Sequence, residues 1–350
     1  MIKKAATAKP FRLNRIGSAF PFIALIILIV LSALVWQYYK NTTLNREERR
    51  FNEYVDRFIA DTTERLQRYE TVLLGGAGVF AASEDMTRDE WQAYYQHQQV
   101  DPRYQGVRRI SFIRIIKHRE LAQHIEEVRA EGFPDYTVWP AENRDFYAPL
   151  IYLEPFDNAA RAALGFDLLT DPVRQSALEQ ARDSGKAALS GMIILVGEKT
   201  QGRRPGFLLV VPVYENSLTP DTVEERRLVI KGYVVGAFVA PELMACIFPD
   251  QVHEIGVQLY DGTEISPETL LYNSYVQPEA DSERRPLFTS TETMDLYGHQ
   301  WTMVFESMPA FEAVADRNSH WAILSAGLLI SFLIFFYLRS LQTTGERAQT

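Results

Sequence analysis

Cysteine is almost missing: Cys246 is the one thiol in 350 residues. No intrachain disulfide framework can form, so cysteine usage is silent about redox compartment. Its setting, Leu243-Met-Ala-Cys246-Ile-Phe248, predicts a small buried hydrophobe. Histidine is scarce too. His97, His118, His124, His253, His299 and His320 show no metal-ligand spacing to one another or to a carboxylate, and His118 and His124, six apart on one expected helix, face different ways. No metal site and no cofactor is expected. GxSxG, P-loop and GxGxxG patterns are absent. With no paired catalytic groups in view, the chain is not expected to be an enzyme. The first fifteen positions contain no acid but carry Lys3, Lys4, Lys9, Arg12 and Arg15. Between 41 and 319 the balance reverses: 28 basic residues against 44 acidic ones leave a formal charge of −16. That balance argues against a nucleic-acid partner.

Two stretches lack charge altogether. Residues 16–39 are apolar and end in Trp36, Tyr38 and Tyr39. They exceed the roughly 20 residues that a membrane-spanning helix needs. Residues 318–338 are similar, edged by Trp321 and Tyr337 and followed by Arg339. The basic flanks predict both termini in the cytoplasm and residues 40–317 outside it, as a two-pass protein of the inner (plasma) membrane. A cleaved signal peptide is the competing reading of the first run, but no small-x-small site follows it.

What fills the long loop is patterned. Phe51, Val55, Phe58, Thr62, Leu66, Tyr69 and Leu73 recur at three- and four-residue spacing, which predicts an amphipathic stalk helix over 40–83. It either lies along its own domain or pairs with a second copy, and both can hold. Gly75-Gly76-Ala-Gly78 then allows close backbone approach or a break. Thr87-Arg-Asp-Glu90 is a capping box. Strands are expected at 106–116, 136–139, 146–153, 189–196 and 207–214, with a helix over 118–131 ended by Gly132. A second module is expected over 227–317, opening with a strand at 228–239 and closing with the pair 288–294 and 300–305. Asp171 should N-cap a helix with Pro172 at its first position, Val173, Ala177, Leu178 and Ala181 as its apolar stripe, and Gly185 as its stop. Asp167 stands just ahead of it, between Phe166 and Leu168. It can cap the turn. It can instead point into a pocket enclosed by Tyr152, Leu168, Leu189 and the strand 207–213. There a carboxylate would accept an N–H from an amine or a heteroaromatic ring.

The order of short motifs here is Tyr147-Ala-Pro149, Leu164-Gly-Phe-Asp167, Asp171-Pro-Val-Arg174, Gly185-Lys-Ala-Ala-Leu189 and Pro212-Val-Tyr214. This order resembles the CHASE domain, the extracytoplasmic sensor module of receptors that include the cytokinin-receptor histidine kinases. The resemblance covers about residues 70–240. It implies an α+β fold in which a long stalk helix precedes two PAS-like α/β modules, here 84–226 (membrane-distal) and 227–317 (membrane-proximal), flanked by two transmembrane helices. It implies that the position of Asp167 hydrogen-bonds an adenine ring and that of Leu189 gives a backbone contact and an apolar wall. Gly132-Phe-Pro and Glu154-Pro-Phe-Asp-Asn158 set this chain apart from the plant members. The expected function is the ligand-sensing portion of a transmembrane receptor. Its ligand would be a small molecule, adenine-like on this resemblance. The expected partners are the membrane and a second copy through the stalk. Residues 1–15 and 339–350 would be cytoplasmic, the latter the start of a linker to an output domain. The alternative is a membrane-anchored binding or scaffold protein without signalling output.

Overall fold

The computed structural model describes residues 14–83, 86–197, 204–215, 220–248, 254–274, 284–314 and 319–347. Lys3, Lys4, Lys9 and Arg12, on which the orientation argument leans, and Arg203 in the 202–206 loop lie outside the described residues. The chain divides into two compact units, one of Met1–Asn52 with Ala310–Thr350 and one of Glu53–Pro309.

One helix, α1 (Asn14–Ala82), runs for 69 residues. In the first unit its apolar part meets α10 (Ser319–Arg347): Trp36 packs on Trp321 at 5.6 Å and Phe22 on Phe335 at 5.2 Å. Both helices are long and apolar enough to cross a membrane, and protein covers almost none of their apolar windows. A further ring pair, Phe51 and Phe311, lies 6.2 Å apart, with the Arg50 guanidinium 4.6 Å from the Phe311 ring.

In the second unit the elements follow as α2 (Arg88–His97), α3 (Val100–Arg103), β1 (Val107–Arg114), β2 (Ile116–Lys117), α4 (Leu121–Ala130), β3 (Phe146–Tyr147), β4 (Leu150–Glu154) and α5 (Asn158–Ala163). Next come α6 (Pro172–Ser184), β5 (Ala188–Leu189), β6 (Ile193–Ile194), β7 (Pro205–Tyr214), α7 (Val223–Leu228), β8 (Ile230–Val239) and α8 (Ala240–Ile247). The chain continues through β9 (Ile255–Asp261), β10 (Leu270–Asn273), β11 (Thr289–Leu296) and β12 (His299–Ser307) to α9 (Pro309–Val314), which leads into α10. The first sheet is antiparallel in the order β4-β1-β8-β7-β5, with β6 also on β7. The second is antiparallel in the order β10-β9-β12-β11.

All seven stripe residues of the stalk are buried. In this unit the stripe serves both sheets. Phe58 stacks on Phe248 at 3.9 Å and meets Phe305 edge-on at 5.3 Å; Tyr69 packs on Phe238 at 4.9 Å; Phe80 stacks on Phe112 at 3.6 Å. The glycines do not break the helix. A Cβ at Gly76 would lie 3.1 Å from the Trp91 ring, so the absent side chain lets α2 lie close. The capping box forms as expected, with Thr87 and Glu90 satisfying each other's backbone N–H.

Several strand expectations need correction. Residues 136–139 form no strand; only Trp139 bridges, to Phe166, because this segment follows the loop at Gly165 rather than a sheet edge. The 146–153 run is two strands, since Ala148 and Pro149 turn away between β3 and β4. The 189–196 run is two short pairings on β7. The strand at 228–239, expected to open the second module, is instead the centre of the first sheet, paired with β1 on one side and β7 on the other. The first sheet therefore has six strands, not five. Its burial pattern says why: β7 and β8 are covered on both faces, a demand that only a central position meets. Cys246 is half-buried rather than buried.

His124 on α4 is buried, with Nε2 2.9 Å from the Tyr136 hydroxyl. Burial, aided by the nearby Arg114 charge, lowers its pKa to about 4 from 6.5. The fold therefore holds it neutral. The stability it contributes is present above pH 6.5 and is lost as pH falls towards 4, on the order of 3 kcal/mol in all. Denaturation of wild type and His124→Gln from pH 7 to pH 4 should show the variant losing less stability over that window. Parallel losses would mean that His124 takes up its proton in the folded state.

Candidate functional site

The site is built around α6. Asp171 caps it: Oδ1 accepts from the Val173 and Arg174 amides at 3.0 and 3.1 Å. Pro172 fills the first position and Gly185 ends the helix. Ala177, Leu178 and Ala181 are buried as expected, but Val173 is 37 % exposed and its neighbour Arg174 is buried in its place. Ion pairing explains the exchange. The Arg174 guanidinium pairs with Asp171, donates to the Ile194 carbonyl at 2.7 Å and lies 5.4 Å from the Phe166 ring. Burial pulls its pKa down and Asp171 pushes it back up.

Between α6 and one face of the first sheet lies a chamber of about 50 Å³. Leu150, Phe166, Leu168, Leu208 and Val235 are among its apolar walls, and Arg109, Ser111 and Arg174 line it too. Arg109 is buried on β1 and reaches Asp157 Oδ1 at 2.6 Å. Asp157 in turn caps α5 through the Ala160 amide at 2.8 Å. Each buried arginine is thus tied to a carboxylate that caps a helix beside the chamber.

Asp167 is fully buried. Its Oδ1 accepts from the Ala148 amide at 2.8 Å and the Leu169 amide at 3.1 Å, and so caps the short 3-10 turn Leu168–Thr170. Oδ2 is buried with no partner among the described residues. Burial raises the Asp167 pKa, against the two backbone hydrogen bonds and Arg144. The bend that sets it here depends on Gly165, at φ +79°, where a Cβ would lie 2.1 Å from the Thr137 carbonyl.

The four residues expected to enclose one pocket are not gathered. Leu168 lines the chamber and Asp167 adjoins it in sequence. Leu189 is buried and pairs with Leu209, while Ala188 and Val210 belong to the chamber-side core. Successive strand residues alternate in direction, so Leu189 faces the other way. Tyr152 pairs with Phe112 on the stalk-facing side, and its hydroxyl donates to the Met86 carbonyl at 2.7 Å. It lines a separate open groove with Phe80, Arg114 and Lys231. The arginines were missed as lining residues, although the Asp171–Arg174 spacing is a legible i,i+3 pair.

The far edge of this core meets the second sheet. The Leu189 amide donates to the Tyr297 carbonyl at 3.4 Å, and Gln180 Nε2 reaches the Gly298 carbonyl at 3.2 Å. The Met192 amide donates to Asp261 Oδ2 at 2.8 Å, and His299 Nε2 lies 2.7 Å from Asp261 Oδ1. Tyr297, in the β11–β12 turn, donates to Glu70 of the stalk at 2.9 Å.

The CHASE domain profile matches residues 84–272, more than half of the chain, and the chain belongs to that family. CHASE is a sensor domain, not a catalytic one. The protein named Histidine kinase 2 of Arabidopsis thaliana is 27 % identical over 140 residues, which is 39 % of this chain and 11 % of that protein. The chain thus matches only a small part of that relative.

Asp167→Asn tests the buried carboxylate. The folded pKa lies above the ordinary 3.8, so folding takes up a proton in the carboxylate range. The stability that Asp167 contributes is present below 3.8 and declines as pH rises through that range. Denaturation between pH 3.5 and 7 should show wild type losing stability relative to Asp167→Asn as pH rises. A constant difference would mean that the carboxylate ionises without penalty.

Proposed function

We propose that this chain is the extracytoplasmic small-molecule sensor of a transmembrane signalling receptor. It would cross the inner (plasma) membrane twice with both termini in the cytoplasm and 40–317 outside. The observation that carries this reading is the enclosure of the family-matched sensor segment between two helices long and apolar enough to span. The two antiparallel sheets support a pair of PAS-like modules, with β8 closing the distal one between its first strand and β7. Ligand would enter the distal chamber beside Leu168. Asp167 Oδ2, buried and without a partner among the described residues, would accept a ligand N–H once the chamber widened to reach it, while Leu189 acts from the opposite side of β5 rather than as a wall. A purine is larger than the chamber as built, so an adenine-like ligand would require it to open. Tyr152 would contribute through the stalk-facing side alone.

The output route in this reading is mechanical. Movement of α6 and β5 on ligand entry would reach the β11–β12 turn through Gln180 and Leu189 and the end of β9 through Met192, then β12, which is followed by the segment leading to α10. In this proposal the stalk helix pairs two copies. Reporter fusions at residues 10 and 345 should both read as cytoplasmic, and one near residue 200 as exported. A cytoplasmic signal at 200 would overturn the sensor reading.

A further inference from the structure

We infer that the distal chamber takes a short-chain carboxylate of two to four carbons, held by Arg109 and Arg174. The inference rests on the reading of this chamber as the ligand site and adds the ligand's chemical class. Size comes first. A chamber of about 50 Å³ exceeds the one-water limit of roughly 10–15 Å³ and falls well short of the several hundred cubic ångströms of a drug-sized site. It suits a molecule of a few heavy atoms. Charge comes second. Arg109 and Arg174 are 5 % and 6 % exposed, and no acidic side chain shares the lining with them. Their carboxylate partners, Asp157 and Asp171, stand further out, 46 % and 31 % exposed. The lining therefore presents two guanidinium groups, each paired with a more exposed carboxylate, in an apolar surround where charge interactions are least screened.

Donor geometry comes third. A guanidinium has five N–H donors in a planar fork that matches a carboxylate. The Asp171 and Ile194 contacts of Arg174 use only some of them. The Ser111 hydroxyl adds a neutral donor from the sheet. The remaining lining is aliphatic or aromatic, which suits a short alkyl tail against Leu208 and Val235. Carboxylate entry would bear on Arg174, and through it on the α6 N-terminus and the Ile194 carbonyl, the elements that lead to Gln180 and Met192.

The test is calorimetric titration of the full chain in lipid nanodiscs with propionate and with propionamide, its neutral isostere. Propionate should bind at least tenfold more tightly than propionamide. Arg174→Gln should weaken propionate at least tenfold, and Leu208→Phe, which adds volume to the chamber lining while keeping both arginines, should abolish binding in a protein that still melts cooperatively. Equal binding of acid and amide, both lost in Leu208→Phe, would overturn the carboxylate class while the chamber stands as the ligand site. Propionate binding unchanged in Leu208→Phe would overturn the location. Failure of both probes alongside binding of an N6-substituted adenine that Asp167→Ala removes would also overturn the inference and leave the sensor reading intact at Asp167.

Discussion

The structure depends on one apolar stripe having to cover two sheets. Within the second unit, Phe58, Leu66, Tyr69, Leu73 and Phe80 of α1 are buried, and their rings meet β1, β8 and β12, with Phe58 packing on both Phe248, just after α8, and Phe305 of β12. Aromatic pairs at these separations add to their area burial. A helix held at both sheets by interdigitated rings cannot slide at one without repacking at the other, because close-packed cores rearrange in steps rather than deform smoothly. The distal chamber lies on the opposite face of the first sheet from this stripe. The junction at Leu189–Met192 joins the chamber side of this sheet to the second sheet independently of the stripe.

That junction is polar where the stalk contact is apolar. The Leu189 and Met192 backbone amides meet the Tyr297 carbonyl and the Asp261 carboxylate, and the Gln180 side-chain amide meets the Gly298 carbonyl. Hydrogen bonds of this kind fix register and break at definite geometry, so they report small shifts of α6 more sharply than a greasy contact would. The tight turn that presents Tyr297 uses two successive positive-φ residues, Tyr297 and Gly298, which pins the hairpin tip against the distal module.

Much of this was legible before any coordinates. The stalk stripe, the capping box at Thr87 and the Asp171-Pro172…Gly185 helix are local patterns, and local patterns survive tertiary context when caps and periodicity agree. The strand at 230–239 was legible as a strand but not as a partner of β1. Its neighbour in sequence is α8, and nothing local says that it returns to the centre of the earlier sheet. Arg174 misled for a related reason. Periodicity assigned Val173 to the buried stripe, but a salt bridge to Asp171 allows the arginine to bury instead. Asp167 was legible as special, and its cap was one of the two stated readings; the partnerless Oδ2 could not be seen without the bends at Gly165 and Ala148. Tyr152 lies apart from Leu168 because the register of β4 on β1 sends it to the stalk side, and a one-residue difference in register reverses a strand's faces.

If the Leu189–Met192 junction couples the core of the first sheet to the second sheet, the two open as one unit. The direct measurement is native-state hydrogen exchange of the full chain in nanodiscs, following β7 and β12 amides. The account predicts a shared opening free energy with equal denaturant dependence in wild type. It predicts that Asp261→Ala combined with Gln180→Ala lets β12 open separately while β7 keeps its protection. Independent opening of β12 in the wild-type chain would contradict it.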